Sequence, residues 1–376
     1  MLGPKQGGIG RYIQELVKHY STTALQHEST PIQQQNNTAQ FVVFLRKENW
    51  DMVIESARIK KVLADIPWYG WREQLSLPKI IKKEKIDLIH FPHWNIPLFY
   101  QGPFVVTIHD LLLIHYPTRS ASTLGPISYF FKNIAYRIIL NHAIKKSQHI
   151  FSPSEFTKQD IIKTFNILPD KITVTPLAPT PTSELLTPDS GKEILKKYSI
   201  TKPYILYVGV AYPHKNLEGL IRAWQIFCSQ HGDGYQLVLA GRKNYFYERL
   251  SAMASGIENM IFTDFVPETD LPALYHTALL YIFPSFYEGF GLPPLEAMQY
   301  GVPVVSSNAT CLPEILNDSA LYFDPHNYEE MATAIWRGLT DQNLRAELTQ
   351  KSVQLIHNLS WERTANTTLE QYKNLL

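Results

Sequence analysis

The sequence predicts an α/β protein built from two doubly wound, parallel-sheet domains, and three observations predict it. Short apolar runs alternate with longer amphipathic stretches along nearly all of the 376 residues, which is the rhythm of βαβ units. The same scheme then starts again in the second half. Between the halves lies a stiff, polar connector, Pro176-Leu-Ala-Pro179-Thr-Pro181, with Pro188 soon after. A boundary near residues 177–190 follows, with a domain of 1–180 ahead of it.

The chain opens on Gly7-Gly8-Ile9-Gly10, with only Met1-Leu2-Gly3 ahead of Pro4-Lys5-Gln6. A doubly wound domain normally feeds such a turn from a strand, so the first strand is expected to be absent or a stub. The polar run Gln26–Gln40 reads as a loop leaning to disorder. Phe41–Leu45, Leu88–Phe91, Phe104–Ile108 and Ile172–Thr175 read as buried strands. In the second half, Tyr204–Val208, Gln236–Ala240, Leu279–Phe283 and Val302–Ser306 read likewise, with Leu217–Gln230, Pro294–Tyr300 and Tyr328–Leu339 as helices between them. The expected architecture is two Rossmann-like domains with a cleft between them.

Composition excludes several classes. Apolar residues make up 45% of the chain and charged ones 18%, enough for a core in each domain. No stretch approaches the ~20 apolar residues of a spanning helix, and no basic, apolar leader marks the chain for secretion. Two cysteines, Cys228 and Cys311, build neither a disulfide scaffold nor a thiolate zinc site, and suit a reducing cytoplasm. The net charge of +1 conceals an asymmetry: residues 1–180 carry 21 Lys+Arg against 13 Asp+Glu, and the remainder 14 against 21. A basic half joined to an acidic one suggests that only the first meets a polyanion or an anionic membrane surface. Uneven scatter of solvated charge produces the same counts.

The densest chemistry lies in Pro284-Ser-Phe-Tyr-Glu288-Gly-Phe-Gly-Leu-Pro-Pro-Leu-Glu296-Ala-Met. A strand ends near Phe283, a glycine-rich loop follows, and Pro293-Pro294 suits the first turn of a helix. Amides of such a loop and helix start point at whatever sits off the strand's carboxyl end, a site made for a diphosphate. Glu288 then lies in the loop and Glu296 in the first helical turn. One carboxylate there serves a helix dipole equally well; two bracketing Gly289-Phe290-Gly291 point to a shared ligand.

This segment resembles the E-x7-E element of retaining glycosyltransferases of family 4, which have the GT-B fold. The likeness continues through Gly301-Val-Pro-Val-Val-Ser306-Ser-Asn and Leu312-Pro-Glu314-Ile. It includes Gly7-Gly-Ile-Gly-Arg11-Tyr, Thr107-Ile-His109-Asp110, Ser152-Pro-Ser154-Glu-Phe, Tyr207-Val-Gly209 and Pro213-His-Lys215-Asn216. Near the end, Ser360-Trp361-Glu is similar to the segment preceding the family's last helix, which implies a donor domain of 181–358 and a helix over 359–376 that packs back on the first domain. The pieces span essentially the whole chain in the family's order.

The resemblance implies that Glu288 lies by the donor sugar and that Glu296 holds the nucleotide ribose. Amides around Gly289, Phe290, Gly291 and Leu292 would contact sugar and phosphate. Gly209, Asn216, Val266 and Arg242 would line the donor pocket. Lys215 matches the lysine that neutralises the donor diphosphate, where a fixed ammonium stabilises the charge of the departing nucleotide. His109 matches the histidine that faces the sugar. Gly8 and Gly10 match the loop through which acceptor and diphosphate approach the backbone. Two departures stand out. Val210 follows Gly209 where many relatives have arginine, and His214-Lys215 stands where they read Arg-Lys, leaving Arg242 as a candidate replacement. The abrupt start is the second.

Other readings fall away on the residues. Gly7-Gly-Ile-Gly10 is not G-x-G-x-x-G, which speaks against an oxidoreductase. His90 and His93 have no carboxylate or thiolate ligands close in sequence, and Phe91-Pro-His93-Trp-Asn-Ile-Pro resembles a segment of mannosyltransferase-like members. There is no D-x-D motif, and the family requires no metal. The expected function is therefore hexosyl transfer, mannosyl favoured, from a nucleotide sugar (GDP-mannose favoured) to a glycan or polyprenyl-diphosphate-linked acceptor. It would proceed with retention, in cell-surface polysaccharide synthesis, without a resident cofactor and without nucleic acid. The expected place is the cytoplasm, peripheral at the membrane. The alternatives are a UDP-sugar-dependent glucosyl, galactosyl or N-acetylglucosaminyl transferase, or an inactive sugar-nucleotide-binding relative. Donor hydrolysis by the purified protein separates the last from an enzyme.

Overall fold

A computed structural model describes residues 7–26, 40–117, 125–180, 188–257 and 259–376. The chain divides into two compact units. One takes the residues up to Ile114, those of 125–177 and Ser360–Leu376; the other takes His115–Pro117 and Ala178–Leu359. The expected first-strand stub at residues 1–6, most of the polar run 26–40 and the end of the proline connector lie outside the described residues.

The first unit begins with α1 (Gly8–Gln26), followed by β1 (Phe41–Leu45), β2 (Ile59–Leu63), α2 (Trp71–Lys83), β3 (Ile89–Phe91) and β4 (Phe104–Thr107). After the short α3 (Leu112–His115) come α4 (Pro126–Lys146), β5 (His149–Ser152), α5 (Glu155–Phe165) and β6 (Ile172–Val174). Its strands form two parallel sheets, β1-β2 and β3-β4-β5-β6. Every residue of β4 and β5 is buried, as a parallel sheet covered on both faces requires. Val106, Ile108, Leu140, Ile144, Ile150 and Ile161 form the centre of that core. Between the edges of β1 and β3 lies a cavity of about 450 Å³ lined by Ile13, Tyr20, Phe41, Val43, Ile89 and Tyr372, among others.

The second unit runs α6 (Pro188–Lys197), β7 (Tyr204–Val208), a 3₁₀ turn (Pro213–Lys215), α7 (Leu217–His231), β8 (Gln236–Ala240), α8 (Tyr245–Met253) and β9 (Met260–Phe262). It continues with α9 (Leu271–Thr277), β10 (Leu280–Phe283), α10 (Leu292–Gln299), β11 (Val304–Ser307), α11 (Leu312–Leu316), β12 (Ala320–Phe323), α12 (Tyr328–Thr340) and α13 (Gln342–His357). Its six parallel strands lie in the order β12-β11-β10-β7-β8-β9, the doubly wound arrangement whose direction reverses between β7 and β10. Local sequence sets the helix starts: Asn244, Asn327 and Asp341 each accept a first-turn amide hydrogen bond in their side chains. Finally α14 (Trp361–Leu375), capped by Ser360, returns to the first unit. There Tyr20 donates to Ala365 O at 3.3 Å, and Thr364 Oγ1 donates to Pro176 O.

Four strands escaped the sequence reading. β2 carries Lys60 and Lys61 on an edge, β9 is three residues long, and β5 and β12 are four residues each. Such short or charged runs carry little periodicity. No helix among the described residues is long and apolar enough to cross a membrane.

Candidate active site

In an open α/β sheet, ligands sit beyond the strands' carboxyl ends where the strand order reverses. In the second unit that point lies between β7 and β10, so the two loops that matter follow Val208 and Phe283. The first is held tightly. Gly209 N donates to Ala240 O at 2.9 Å, Tyr247 OH donates to Gly209 O at 2.7 Å, and Tyr207 OH donates to Val210 O at 2.9 Å. A Cβ on Gly241 would collide with the Gly209 carbonyl oxygen, so glycine is what allows β7 and β8 to end side by side.

From this loop the 3₁₀ turn delivers Lys215, and from the other the chain delivers Glu288. Lys215 Nζ lies 2.5 Å from Glu288 Oε1, with the two side chains 15% and 12% exposed. The loops are also joined by backbone, Phe286 N donating to His214 O at 2.8 Å. The Glu288 peptide is pinned on both sides: its N–H donates to Thr310 Oγ1 at 3.1 Å and its carbonyl accepts from Cys311 Sγ at 3.3 Å. Asn216, expected among the donor-binding residues, is buried and braces the frame: its carboxamide donates to Pro284 O at 3.1 Å and Pro325 O at 2.9 Å.

Gly291 precedes α10 with φ +94°, and a Cβ there would also stand 2.8 Å from Leu312 Cδ2. Because α10 starts at Leu292, Glu296 falls in its second turn rather than the expected first. Its Oε2 accepts from Tyr275 OH at 3.2 Å. Pro293 and Pro294 remove two amides from the helix start, so donors for an anion here come from the loop peptides through Leu292. His214 supplies no cation beside Lys215. Burial above all, with Lys215 adding, pulls its pKa down to about 4 against the opposing pull of Glu288. Arg242 is exposed just past β8, Val266 is buried past β9, and Val210 is 42% exposed.

The first unit holds the remaining predicted residues. Gly8 and Gly10 are helical, in the first turn of α1, rather than in a loop; the left-handed residue is Gly7, at φ +76°. A helix start without side chains still leaves its amides approachable by an anion. His109 Nε2 lies 3.0 Å from Pro92 O, which makes that nitrogen the N–H donor. Burial lowers the imidazole's pKa to about 4, with the Pro92 bond opposing; it is neutral at pH 7, leaving Nδ1 as an acceptor. The ring meets Tyr12 edge-on at 5.1 Å, and Tyr12 OH and His90 Nε2 both reach Thr107 Oγ1, at 3.0 and 2.7 Å. Sequence reasoning missed Thr310, Cys311, Tyr207 and Tyr247, which hold the site without resembling chemistry-bearing residues. Among the described residues no three His, Cys, Asp or Glu side chains gather where they could hold a metal ion.

Two family models account for nearly the whole chain: Glycosyltransferase Family 4 matches residues 6–178 and Glycosyl transferases group 1 matches 192–354. The O-antigen chain mannosyltransferase B of Escherichia coli is 30% identical over 98% of this chain and 96% of its own length. The chain belongs to glycosyltransferase family 4. This glycosyltransferase is also 27% identical to the O-antigen chain mannosyltransferase RfbU of Salmonella typhimurium, over 73% of this chain and 70% of that one. Among solved structures, Anabaena HepE in complex with UDP-glucose matches with a TM-score of 0.71 and 16% identity, covering 100% of this chain and 98% of that chain. WaaG, a glycosyltransferase involved in lipopolysaccharide biosynthesis, matches at 0.67 and 16%, covering 96% and 95%. At that identity the likeness is one of fold, the two Rossmann-like units of GT-B.

Proposed function

We propose that this glycosyltransferase moves a mannosyl group from GDP-mannose to a lipid-linked glycan of the O-antigen kind, retaining the anomeric configuration. The observation that carries the reading is the Lys215–Glu288 pair at the reversal of the sheet, 2.5 Å apart and nearly enclosed. A site that poises one ammonium and one carboxylate where a diphosphate and its sugar would lie suits departure of a nucleoside diphosphate. Mannose as the sugar is supported by the full-length likeness to an O-antigen chain mannosyltransferase.

In this reading Lys215 and the amides of Gly289, Phe290, Gly291 and Leu292 take the diphosphate. Glu296 holds the ribose, with Tyr275 orienting its carboxylate. The bond from the anomeric carbon to the phosphate oxygen breaks as the acceptor hydroxyl bonds that carbon from the same face, and the hydroxyl proton passes to the leaving phosphate oxygen. Lys215 stabilises the charge that builds there. Glu288 stabilises the oxocarbenium-like sugar; neutral His109 keeps Nδ1 free to accept a hydrogen bond. The nucleotide sugar is a substrate, and no resident cofactor takes part.

A lipid-linked acceptor brings the enzyme to the cytoplasmic face of the membrane. The basic first half, with Lys79, Lys82, Lys83 and Lys85 close together, supports electrostatic attachment there. The deciding experiment is an NMR assay with GDP-mannose and a mannosyl-accepting glycan. An α-linked product from the α-linked donor is expected. A β-linked product overturns retention, and a thermal shift with UDP-sugars but not with GDP-mannose overturns the donor.

A further inference from the structure

The helix α4 is apolar on two faces. One side packs into the first unit's core through Tyr136, Leu140, Ala143 and Ile144, all buried. The other side carries Ile127, Phe130, Phe131, Ile134 and Ile138, which are between 40% and 73% exposed. At ~100° per residue these five fall within roughly 100° of the helix circumference, on a different arc from the buried side. They form one continuous stripe rather than scattered surface residues. A helix hydrophobic all round is normally buried, and a contiguous exposed apolar stripe marks a surface that meets something apolar.

The charges around the stripe indicate what that is. Pro126–Lys146 contains no Asp or Glu; of its four exposed cations, Arg137 and Lys145 lie at the stripe, while Lys132 and Lys146 lie away from it. Arg137 borders the stripe, and Lys145 lies on its line two turns beyond Ile138. Apolar side chains flanked by cations, with no acid among them, complement a surface that is apolar beneath and negative at its rim. An anionic bilayer has that profile, with cations at the headgroups and the apolar face in the acyl boundary. Two copies pairing through this stripe would bring Arg137 and Lys145 of both together, four cations without a compensating carboxylate on the helix.

We infer that the outer face of α4 is a membrane-docking surface that seats on an anionic lipid bilayer. The inference rests on the proposal of a lipid-linked acceptor and gives it an element. It differs from attachment through the lysines of residues 79–85: that contact is purely electrostatic and fails when salt screens it, whereas α4 adds an apolar contact that salt does not weaken.

The test is co-sedimentation of the full chain with vesicles of equimolar phosphatidylcholine and phosphatidylglycerol, at low salt and at about 1 M, where the screening length falls to ~3 Å. Binding is expected at low salt and in part at high salt, and the Phe130→Ser/Phe131→Ser/Ile134→Ser variant should lose about tenfold of the high-salt bound fraction. A second variant guards against misfolding. Ile127→Lys removes apolar area at the most exposed position while adding a cation. It should still lower high-salt binding, where an electrostatic contact alone would leave it unchanged. No high-salt binding by the wild type, or variants that bind as the wild type does, overturns the inference. So does a wild-type dimer that the triple variant converts to monomer with vesicle binding unchanged, since the stripe would then cover a second copy. Transfer from GDP-mannose to a soluble acceptor without vesicles reads the proposed function separately, and all these variants should retain it.

Discussion

The Lys215–Glu288 contact concentrates what is testable at single residues. The two charges stand 2.5 Å apart and nearly out of water, so each needs the other. Lys215→Ala should weaken both donor and free GDP by roughly 1.5–3 kcal/mol, the worth of a hydrogen bond to a charged group; unchanged GDP affinity in calorimetry removes Lys215 from the phosphate site. Glu288→Gln should lower turnover far more than donor affinity, because its charge counts most once the sugar becomes cationic. Equal losses in both would assign it to ground-state binding. His214 illustrates why a residue's identity is not its charge: burial keeps it neutral beside Lys215.

At the scale of elements, the site depends on how closely β7 and β8 end together. Gly241→Ala drives a methyl into the Gly209 carbonyl and the Tyr247 hydroxyl. The cost should be about 1–3 kcal/mol of stability, as overpacking usually costs, with donor affinity falling as the loop ahead of Lys215 shifts. Gly234→Ala is the control, since nothing lies within 4 Å of the added carbon; its urea midpoint should match the wild type. Equal midpoints for the two variants would show that the strand ends have room to spare. The same reasoning explains α10: two prolines start the helix sharply, and the free amides are left to the loop before it.

Across the whole molecule, six histidines with lowered pKa among the described residues make stability depend on pH, including His142 and His149, which burial pulls down as well. Burial lowers His90 and His93 to about 3 and His109 and His214 to about 4. The unfolded chain takes up protons on these rings from about pH 6.5 downward while the folded one does not, so stability falls as pH falls through that window. Urea midpoints should therefore be lower at about pH 5 than at about pH 7. His214→Gln should flatten part of that slope, and a slope identical to the wild type's would remove His214 from the effect.

The sequence by itself determined the parts whose cause is local. Long apolar runs such as Tyr204–Val208 and Gln236–Ala240 are strands end to end because a strand covered on both faces needs nothing but apolar residues. The spacing of Glu288, Gly291 and Glu296 located the strand–loop–helix of β10 and α10 because turn and helix-start residues act within a few positions of themselves. Only the tertiary structure decided the rest. It set Glu288 against Lys215 across 73 residues of sequence, made a brace of Asn216, and pulled His109 and His214 below their ordinary pKa. Each of these depends on what a distant segment brings alongside, through desolvation or through a partner's carbonyl, and sequence spacing carries no record of that.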